Sequence, residues 1–250
     1  TDANSITAFG TDGFSLGSSG AGNASTQTYM YACWKANGGT TSTNTSGTIT
    51  STVQANQDAG FSIVKYTATG TNGTVGHGLS KGPEFVISMK DGGQAHYTLA
   101  PINGRGPGYF EMSSNANYSE GSNPFGGTSP SSTTVGVSSS NASTDTYYLY
   151  CWHGVQGFSK FGNYNGSGNA DGPFINLDFT PQILWLKEYG SDDWGMYTNP
   201  VQDQPGTNPL DTLQRTESTN GEQEDASGRA VDFLANGFKL RTSNATFNGG

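Results

Sequence analysis

TYYLYCW at residues 146–152 repeats TYMYACW at residues 28–34. Aromatic residues suit the pleated surface of a sheet, so each heptapeptide predicts a strand. After an interval, each copy leads into Gly-Phe-Ser, at residues 60–62 and 157–159. Recurrence of a strand together with its downstream neighbour indicates that the chain repeats a structural unit. The fold should therefore be modular.

Composition favours strands and turns over helices. The 250 residues include 37 glycines, and 32% of residues are hydrophobic and 12% aromatic. Ala, Leu, Glu and Lys, which stabilise helices, are scarce, whereas aromatic residues, Thr and Gly are plentiful. Disordered chains usually have few aromatic residues. We therefore expect an ordered β protein with almost no helix.

Charge and hydropathy exclude two classes of partner. The formal net charge is -9, the sequence pI is about 4.6, and only 11 residues are Lys or Arg. Binding to a phosphate backbone requires basic patches, so we expect no nucleic-acid partner. No apolar stretch approaches the length of a membrane span, so we expect none. An acidic balance suits extracellular surroundings.

Two hairpins with one pattern lie near the two ends of the sequence. Residues 6–16 place an Asp-Gly turn between short apolar runs, and residues 231–241 do so around an Asn-Gly turn. Both dipeptides accept the positive φ angles of tight hairpins. Each hairpin is followed by Asn-Ala-Ser or Asn-Ala-Thr, but only the first continues into a Tyr-rich stretch. We therefore expect the first unit to begin before Thr1 and a further strand to follow Gly250.

A longer repeat sets the size of the unit. Residues 83–90 and 181–187 each begin with Pro, continue through an apolar run and end with Lys. Each run turns back through a second short strand, at residues 96–99 and 194–197. A unit of about 100 residues with seven or eight short strands has the size of a β-sandwich. A propeller blade or a β-helix turn would be smaller.

The predicted fold class is all-β, with tandem antiparallel β-sandwich (jelly-roll-like) modules and long polar loops. Cys33 and Cys151 take equivalent places in the repeat, so we interpret both as buried thiols rather than a disulfide. The polar stretch 39–59 could contain one edge strand, at residues 48–53. The predicted segments are 1–38 as trailing strands of a preceding module, 39–59 as an inserted polar loop, 60–156 as one module, and 157–250 as a second module lacking its last strand.

Four motifs of the second module carry a family resemblance. They are GFSKFGNYNG at residues 157–166, FTPQILWLK at 179–187, DW at 193–194 and FLANGFKL at 233–240. These motifs resemble a module repeated in virion surface proteins of marine tailed bacteriophages, which are tail-fibre-like. The likeness covers most of residues 157–250 and, more loosely, 60–152. It implies a structural virion protein with a β-sandwich module and brings no catalytic residues.

Catalytic and metal chemistry finds little support in the residues. His77, His96 and His153 lie in separate segments without ligand spacing, so a zinc site is not expected. No nucleophile-elbow sequence supports a Ser-His-Asp triad. The acidic residues at 222–225 lie among Ser, Thr, Asn and Gly, which is typical of a solvated loop rather than a glycosidase pair. We expect no enzyme, no resident metal and no cofactor.

One hairpin tip is the candidate ligand site, formed by Tyr189, Asp192, Asp193, Trp194 and Tyr197. Aromatic rings stack on sugar faces, and carboxylates accept hydroxyl hydrogen bonds or bind Ca²⁺, the weaker alternative here. In the opposing interpretation, Trp194 and Tyr197 face the core and the aspartates only form the turn. We favour this second interpretation, because Asp-rich hairpin tips are common.

The sequence therefore predicts a non-enzymatic virion surface or fibre protein of a tailed bacteriophage, in contact with the host surface. Its expected partners are copies of itself, other virion proteins and a host-surface glycan, and its expected location is the virion surface or another extracellular site. Two alternatives stay open: a lectin-like or polysaccharide-degrading module, and a bacterial extracellular filament or adhesin subunit.

Overall fold

Antiparallel strands make up nearly all of the regular structure. In the computed structural model, 37% of residues are strand and 4% are helix. The structure describes residues 4–27, 29, 31–93, 95–100, 107–120, 124–199, 208–216, 223–224 and 228–249. Both helices within these ranges have four residues, so no described helix is long enough to cross a membrane. The expected all-β fold is confirmed.

The elements follow one another as short strands with two helical turns. They are β1 (Ile6–Phe9), β2 (Phe14–Leu16), α1 (Gly20–Asn23), β3 (Ser42–Asn44), β4 (Ser51–Asn56), β5 (Phe61–Thr67), β6 (Gly73–Gly76), β7 (Phe85–Lys90), β8 (His96–Leu99), β9 (Phe110–Glu111), β10 (Thr134–Val137), β11 (Thr146–Trp152), β12 (Phe174–Asn176), β13 (Ile183–Lys187), β14 (Trp194–Thr198), β15 (Thr212–Leu213), β16 (Gln223–Glu224), β17 (Val231–Leu234), β18 (Gly237–Leu240) and α2 (Ala245–Asn248).

Strand β11 lies at the centre of the largest sheet, whose order is β3-β4-β5-β11-β7-β8-β9. It pairs antiparallel with β5 on one side and with β7 on the other, so that Leu149 lies opposite Val64 and Ser88. Its side chains alternate between buried and half-buried positions, as expected for a strand with one face in the core. The strand predicted at residues 146–152 is confirmed.

The first sandwich-like unit, residues 42–152, forms when the two-stranded sheet β6–β10 packs on this large sheet. Its core joins Val75 and Val135 of the small sheet to Val64, Val86 and Leu149 of the large one. All five side chains are at most 1% exposed. Valine and leucine fit here because alternate residues of each strand point inward, and burial of their apolar area stabilises the unit.

The second unit, residues 157–249, has a separate core. The sheet β12-β18-β17 packs on the hairpin β13–β14, and the buried side chains between them include Leu186, Tyr197, Val231, Phe238 and Leu240. A bridge between Met196 and Gln214 joins β14 to the end of β15. The order β13-β14-β15 thus repeats β7-β8-β9, and the pair β12–β18 repeats β6–β10. The predicted hairpins at residues 83–99 and 181–197 are confirmed.

The two terminal hairpins end in the same capped turn. Ser19 begins α1, and its hydroxyl accepts a hydrogen bond from the Ala21 amide at 3.2 Å. The side-chain amide of Asn23 then donates to the Gly17 carbonyl at 2.8 Å. At the other end, Asn244 caps α2, and Asn248 donates to the Thr242 carbonyl at 2.6 Å. Each turn is thus tied back to the end of the strand before it.

A third capped turn follows β10. Here the Ser138 hydroxyl accepts from the Ser140 amide at 3.0 Å, and the buried Asn141 donates to the Tyr66 hydroxyl at 2.9 Å. The sequence Asn-Ala-Ser-Thr occurs at residues 23–26 and 141–144, and its threonines share positive φ angles of 68° at Thr26 and 73° at Thr144. A β-branched residue rarely adopts this conformation. Its recurrence shows that the turn is a repeated structural element.

Two predictions about the first Tyr-rich copy are wrong. Among the described residues, 31–34 form no strand, and Tyr31 is 73% exposed. A strand requires neighbours for its backbone hydrogen bonds, and this segment has no described strand beside it. Cys33 is exposed, whereas Cys151 is buried, so only one of the two predicted buried thiols lies in a core.

The stretch interpreted as an inserted polar loop with one edge strand at residues 48–53 contributes two strands, of which β4 overlaps the expected strand and β3 lies at the edge. β3 and β4 extend the large sheet beyond β5, and in β4 Ser51 and Val53 are buried while Thr52 faces solvent. The alternation is that of a strand, although its inward side includes a serine whose hydroxyl donates to the Gly76 carbonyl. Conversely, residues 158–164, the expected counterpart of β5, form no strand in the described structure.

Candidate functional site

The predicted ligand tip lies between β13 and β14, and its two large rings at 194 and 197 point inward. Trp194 is 4% exposed and Tyr197 is fully buried. The Tyr197 hydroxyl donates to the Arg229 carbonyl, and its ring lies edge-on to Phe247 at 6.2 Å between centroids. Tyr197 is therefore part of the second core, and its ring is not accessible to a sugar.

Trp194 connects the second unit to the first. Its indole N–H donates to the Glu111 carbonyl at 3.3 Å, and its ring meets Phe110 edge-on at 5.7 Å. Both partners belong to β9, the edge strand of the large sheet. The indole therefore uses its ring and its polar atom in a contact inside the protein.

Tyr189 extends the same contact. Its carbonyl accepts from the Tyr118 amide at 3.0 Å, and the two rings lie 5.8 Å apart. The Lys187 ammonium lies 5.1 Å from the centroid of the Phe110 ring, within the range of a cation–π interaction. We call Phe110, Tyr118, Tyr189 and Trp194 the tip contact. It joins the edge of the first unit to the β13–β14 hairpin.

The two aspartates of the tip differ in their surroundings. The Asp193 carboxylate lies 2.6 Å from Arg215 and 3.9 Å from Arg229, and all three side chains are mostly buried. Two guanidinium groups thus neutralise this carboxylate and compete with any cation for its oxygens. Asp192 is half-buried.

The structure thus brings the five predicted site residues to one hairpin but uses most of them for packing, as in the core-facing interpretation. Within the described part of the chain, no group of three or more His, Cys, Asp or Glu side chains could hold a metal ion. The described residues therefore include no set of ligands for the Ca²⁺ ion of the alternative interpretation. The acidic cluster at 222–225 lies outside the residues whose side chains the structure describes.

A second aromatic contact, which sequence reasoning missed, lies at the end of the large sheet. Phe85 stacks on Phe161 of the second unit at 5.6 Å, and Trp152 packs on Phe61 at 4.9 Å. Trp34 reaches Trp152 at 5.9 Å and Trp185 of β13 at 6.3 Å. We call these six residues the aromatic junction. In the sequence, the repeated Cys-Trp motif and the first Gly-Phe-Ser motif contain three of the six residues, Trp34, Trp152 and Phe61.

Two of the three histidines are buried in the first unit or beside it. The Nδ1 atom of His77 accepts from the Leu79 amide at 3.1 Å, and burial lowers the pKa of the His77 imidazole. The Nδ1 atom of His153 lies 3.0 Å from the Gly154 carbonyl. Among the described residues, the Nε2 atom of His153 has no hydrogen-bond partner, whereas a backbone hydrogen bond with Ser131 partly offsets the effect of burial on the pKa of His77. Both Nδ1 contacts are to the backbone, as in structural core histidines, and in the described part of the chain neither ring belongs to a group of three His, Cys, Asp or Glu side chains that could hold a metal ion.

Comparison with known families finds a match that spans residues 1–250 and is described as a domain of unknown function, DUF7483. The chain therefore belongs to the DUF7483 family. No curated protein and no solved structure matches it.

Proposed function

We propose that this DUF7483 domain is a structural, non-enzymatic component of a virion surface, namely a fibre-like protein of a tailed bacteriophage. The observation that carries the proposal is repetition at two scales within one chain. The capped turn occurs three times, and the order β7-β8-β9 returns as β13-β14-β15. Repeated units of this kind build extended proteins whose neighbouring units contact one another in series.

The use of the aromatic residues supports the same role. The rings at the tip contact and the aromatic junction join one unit to the next instead of lining an open cleft. Such contacts fix the relative position of two units, which an extended structural protein requires. Binding of a host-surface glycan belongs to this proposal as a role for exposed loops, because Trp194 and Tyr197 are buried.

Immunogold electron microscopy tests the proposal directly. An antibody raised against the purified chain should label particles of a tailed bacteriophage that encodes this domain, at a fixed place on head or tail. Serum depleted on the purified chain is the control. Label on bacterial surface filaments with none on virions would support the filament or adhesin alternative and overturn the proposed virion role.

A further inference from the structure

Asparagine stands directly before glycine at seven places in the sequence, and the structure describes five of these pairs. An Asn-Gly pair is open to deamidation in water, because glycine has no Cβ that would obstruct an attack by its own amide nitrogen. The described pairs are Asn37-Gly38, Asn72-Gly73, Asn165-Gly166, Asn236-Gly237 and Asn248-Gly249.

The reaction takes place within the dipeptide and sets three structural requirements. The glycine nitrogen attacks the side-chain carbonyl carbon of the asparagine. The new N–C bond closes a succinimide ring, the bond to the side-chain nitrogen breaks, and ammonia leaves. Water then opens the ring to aspartate or isoaspartate. The glycine amide must therefore be free of a hydrogen bond, the asparagine side chain must be free to turn, and the backbone must be able to move.

Asn37 meets these requirements. Its side chain is exposed and makes no hydrogen bond within the described ranges. The Thr40 amide donates to the Asn37 carbonyl at 3.1 Å, and Gly38 and Gly39 have φ angles of 57° and 89°, as in a type I′ turn. The closing bond of such a turn uses the amide of its fourth residue, so the attacking Gly38 amide is left unbonded among the described residues. A Cβ at either glycine would meet no atom within 4 Å, so the turn has room to move.

The exposure of Asn37 belongs to a turn with a defined position. On one side of the turn, the Asn56 side chain donates to the Lys35 carbonyl at 3.1 Å. Ala36 is buried in the cluster around Trp152. Asn37 itself lines an open groove together with Asp58, so water reaches its side chain.

Three of the other pairs are held by hydrogen bonds. The Oδ1 atom of Asn72 accepts from the Ser139 amide at 2.7 Å. Gly237 is buried in β18, between the strands β12 and β17. The Asn248 side chain is fully buried and donates to the Thr242 carbonyl at 2.6 Å. Ring closure at each of these pairs requires a local opening of the structure first.

The pair at residue 165 is the nearest competitor. The Asn165 side chain is exposed, but Gly166 is half-buried, and a Cβ there would collide with the Gly249 carbonyl. The backbone at Gly166 is therefore packed against the end of α2. Ring closure has to shift this packed peptide, whereas the peptide at Gly38 has open space around it.

We infer that Asn37 is a site of spontaneous deamidation, which converts it to aspartate and isoaspartate faster than the asparagine of any other described Asn-Gly pair. The product adds a carboxylate beside Asp58 to a chain whose formal net charge is already -9. Isoaspartate also lengthens the main chain by one carbon within the turn and so breaks the bond between Thr40 and residue 37. The inference goes beyond the virion role and does not depend on it.

Peptide mapping by mass spectrometry tests the order of the sites. After incubation of the purified full chain at mildly alkaline pH, Asn37 should convert first and Asn165 second. Conversion of Asn37 should be at least about tenfold faster than that of Asn72, Asn236 and Asn248, which corresponds to a local opening cost of about 1.4 kcal/mol at those sites. In urea the five rates should converge, because each asparagine then precedes an unhindered glycine. Earlier conversion at any of the other four pairs, or an intact Asn37 in native protein when the unfolded chain has converted, would overturn the inference.

Two matched variants connect the reaction to one residue. Asn37→Gln should remove the first acidic species that ion-exchange chromatography resolves, because glutamine must close a larger ring and reacts far more slowly. Asn165→Gln changes another exposed asparagine before glycine and should leave that species in place. Exposed positions of this kind tolerate the substitution, so both variants should keep the wild-type circular dichroism. An early acidic species that persists in Asn37→Gln, or disappears in Asn165→Gln, would overturn the inference, whereas the virion role is decided separately by immunogold labelling.

Discussion

Truncation of Leu149 should cost far more stability than truncation of its counterpart Tyr31, although the two occupy the same place in the repeat. Leu149 is 1% exposed at the centre of β11, and its truncation to Ala removes three buried carbons. At about 0.8 kcal/mol for each, the transfer term is about 2.4 kcal/mol, and the cavity brings the loss to about 3–4 kcal/mol. Tyr31→Ala, at a 73% exposed position, should cost less than about 0.5 kcal/mol.

Urea unfolding followed by circular dichroism measures both losses. With a slope of about 3 kcal/mol/M, Leu149→Ala should move the midpoint by about 1 M, and its melting temperature should fall by roughly 6–16 °C. The measurements belong at low protein concentration, where association between copies adds nothing to stability. Equal losses for the two variants would refute the reasoning, because they would show that residue 31 is as buried as residue 149.

Three further outcomes follow from buried or paired groups. Cys33 should react with a thiol reagent in the native protein, whereas Cys151 should react only after unfolding, because burial raises the pKa of its thiol to about 12. Reaction of two thiols per chain in the native protein would contradict this. Because burial lowers the pKa of the His77 imidazole, the unfolded chain binds a proton more readily than the folded one. The free energy of unfolding should therefore fall as the pH drops below 6.5, by at most about 1.4 kcal/mol per pH unit. His77→Leu should flatten this dependence of stability on pH, and an unchanged dependence in the variant would contradict the prediction. Asp193→Ala should lower the free energy of unfolding by about 1–3 kcal/mol, because two mostly buried guanidinium groups lose their partner. Asp192→Ala should lower it by less than about 0.5 kcal/mol. Equal losses for the two variants would contradict the assignment of Asp193 as the partner of both arginines.

The parts of the fold that depend on local sequence were predictable. β7 and β13 each follow a proline and form one near-continuous apolar run, and the turns beside them contain Gly and Asp. The terminal hairpins likewise contain their turn signal within four residues. Short-range patterns of this kind describe the chain whatever lies next to it in space.

The parts that depend on distant neighbours were not predictable. The heptapeptides at residues 28–34 and 146–152 share four of their seven residues, and the second one is a strand with β5 and β7 on its two sides. The edge strand allowed at residues 48–53 is β4, but the sequence did not show β3 beside it, nor that the inward Ser51 is satisfied by a carbonyl 25 residues away. At the candidate site, the choice between a sugar-binding Trp194 and a buried one depended on β9, which precedes it by more than 80 residues.

The central place of β11 has a consequence for synthesis of the protein. β5 and β7 are not neighbours in the finished sheet, because β11 lies between them, and residues 91–145 separate β7 from β11 in the chain. At about 5–20 residues per second, the ribosome needs roughly 3–11 s to produce that interval. During this time the two strands have emerged, but each has an open edge facing the other. A nascent chain stalled before Thr146 should therefore be the species most prone to aggregate or to need a chaperone.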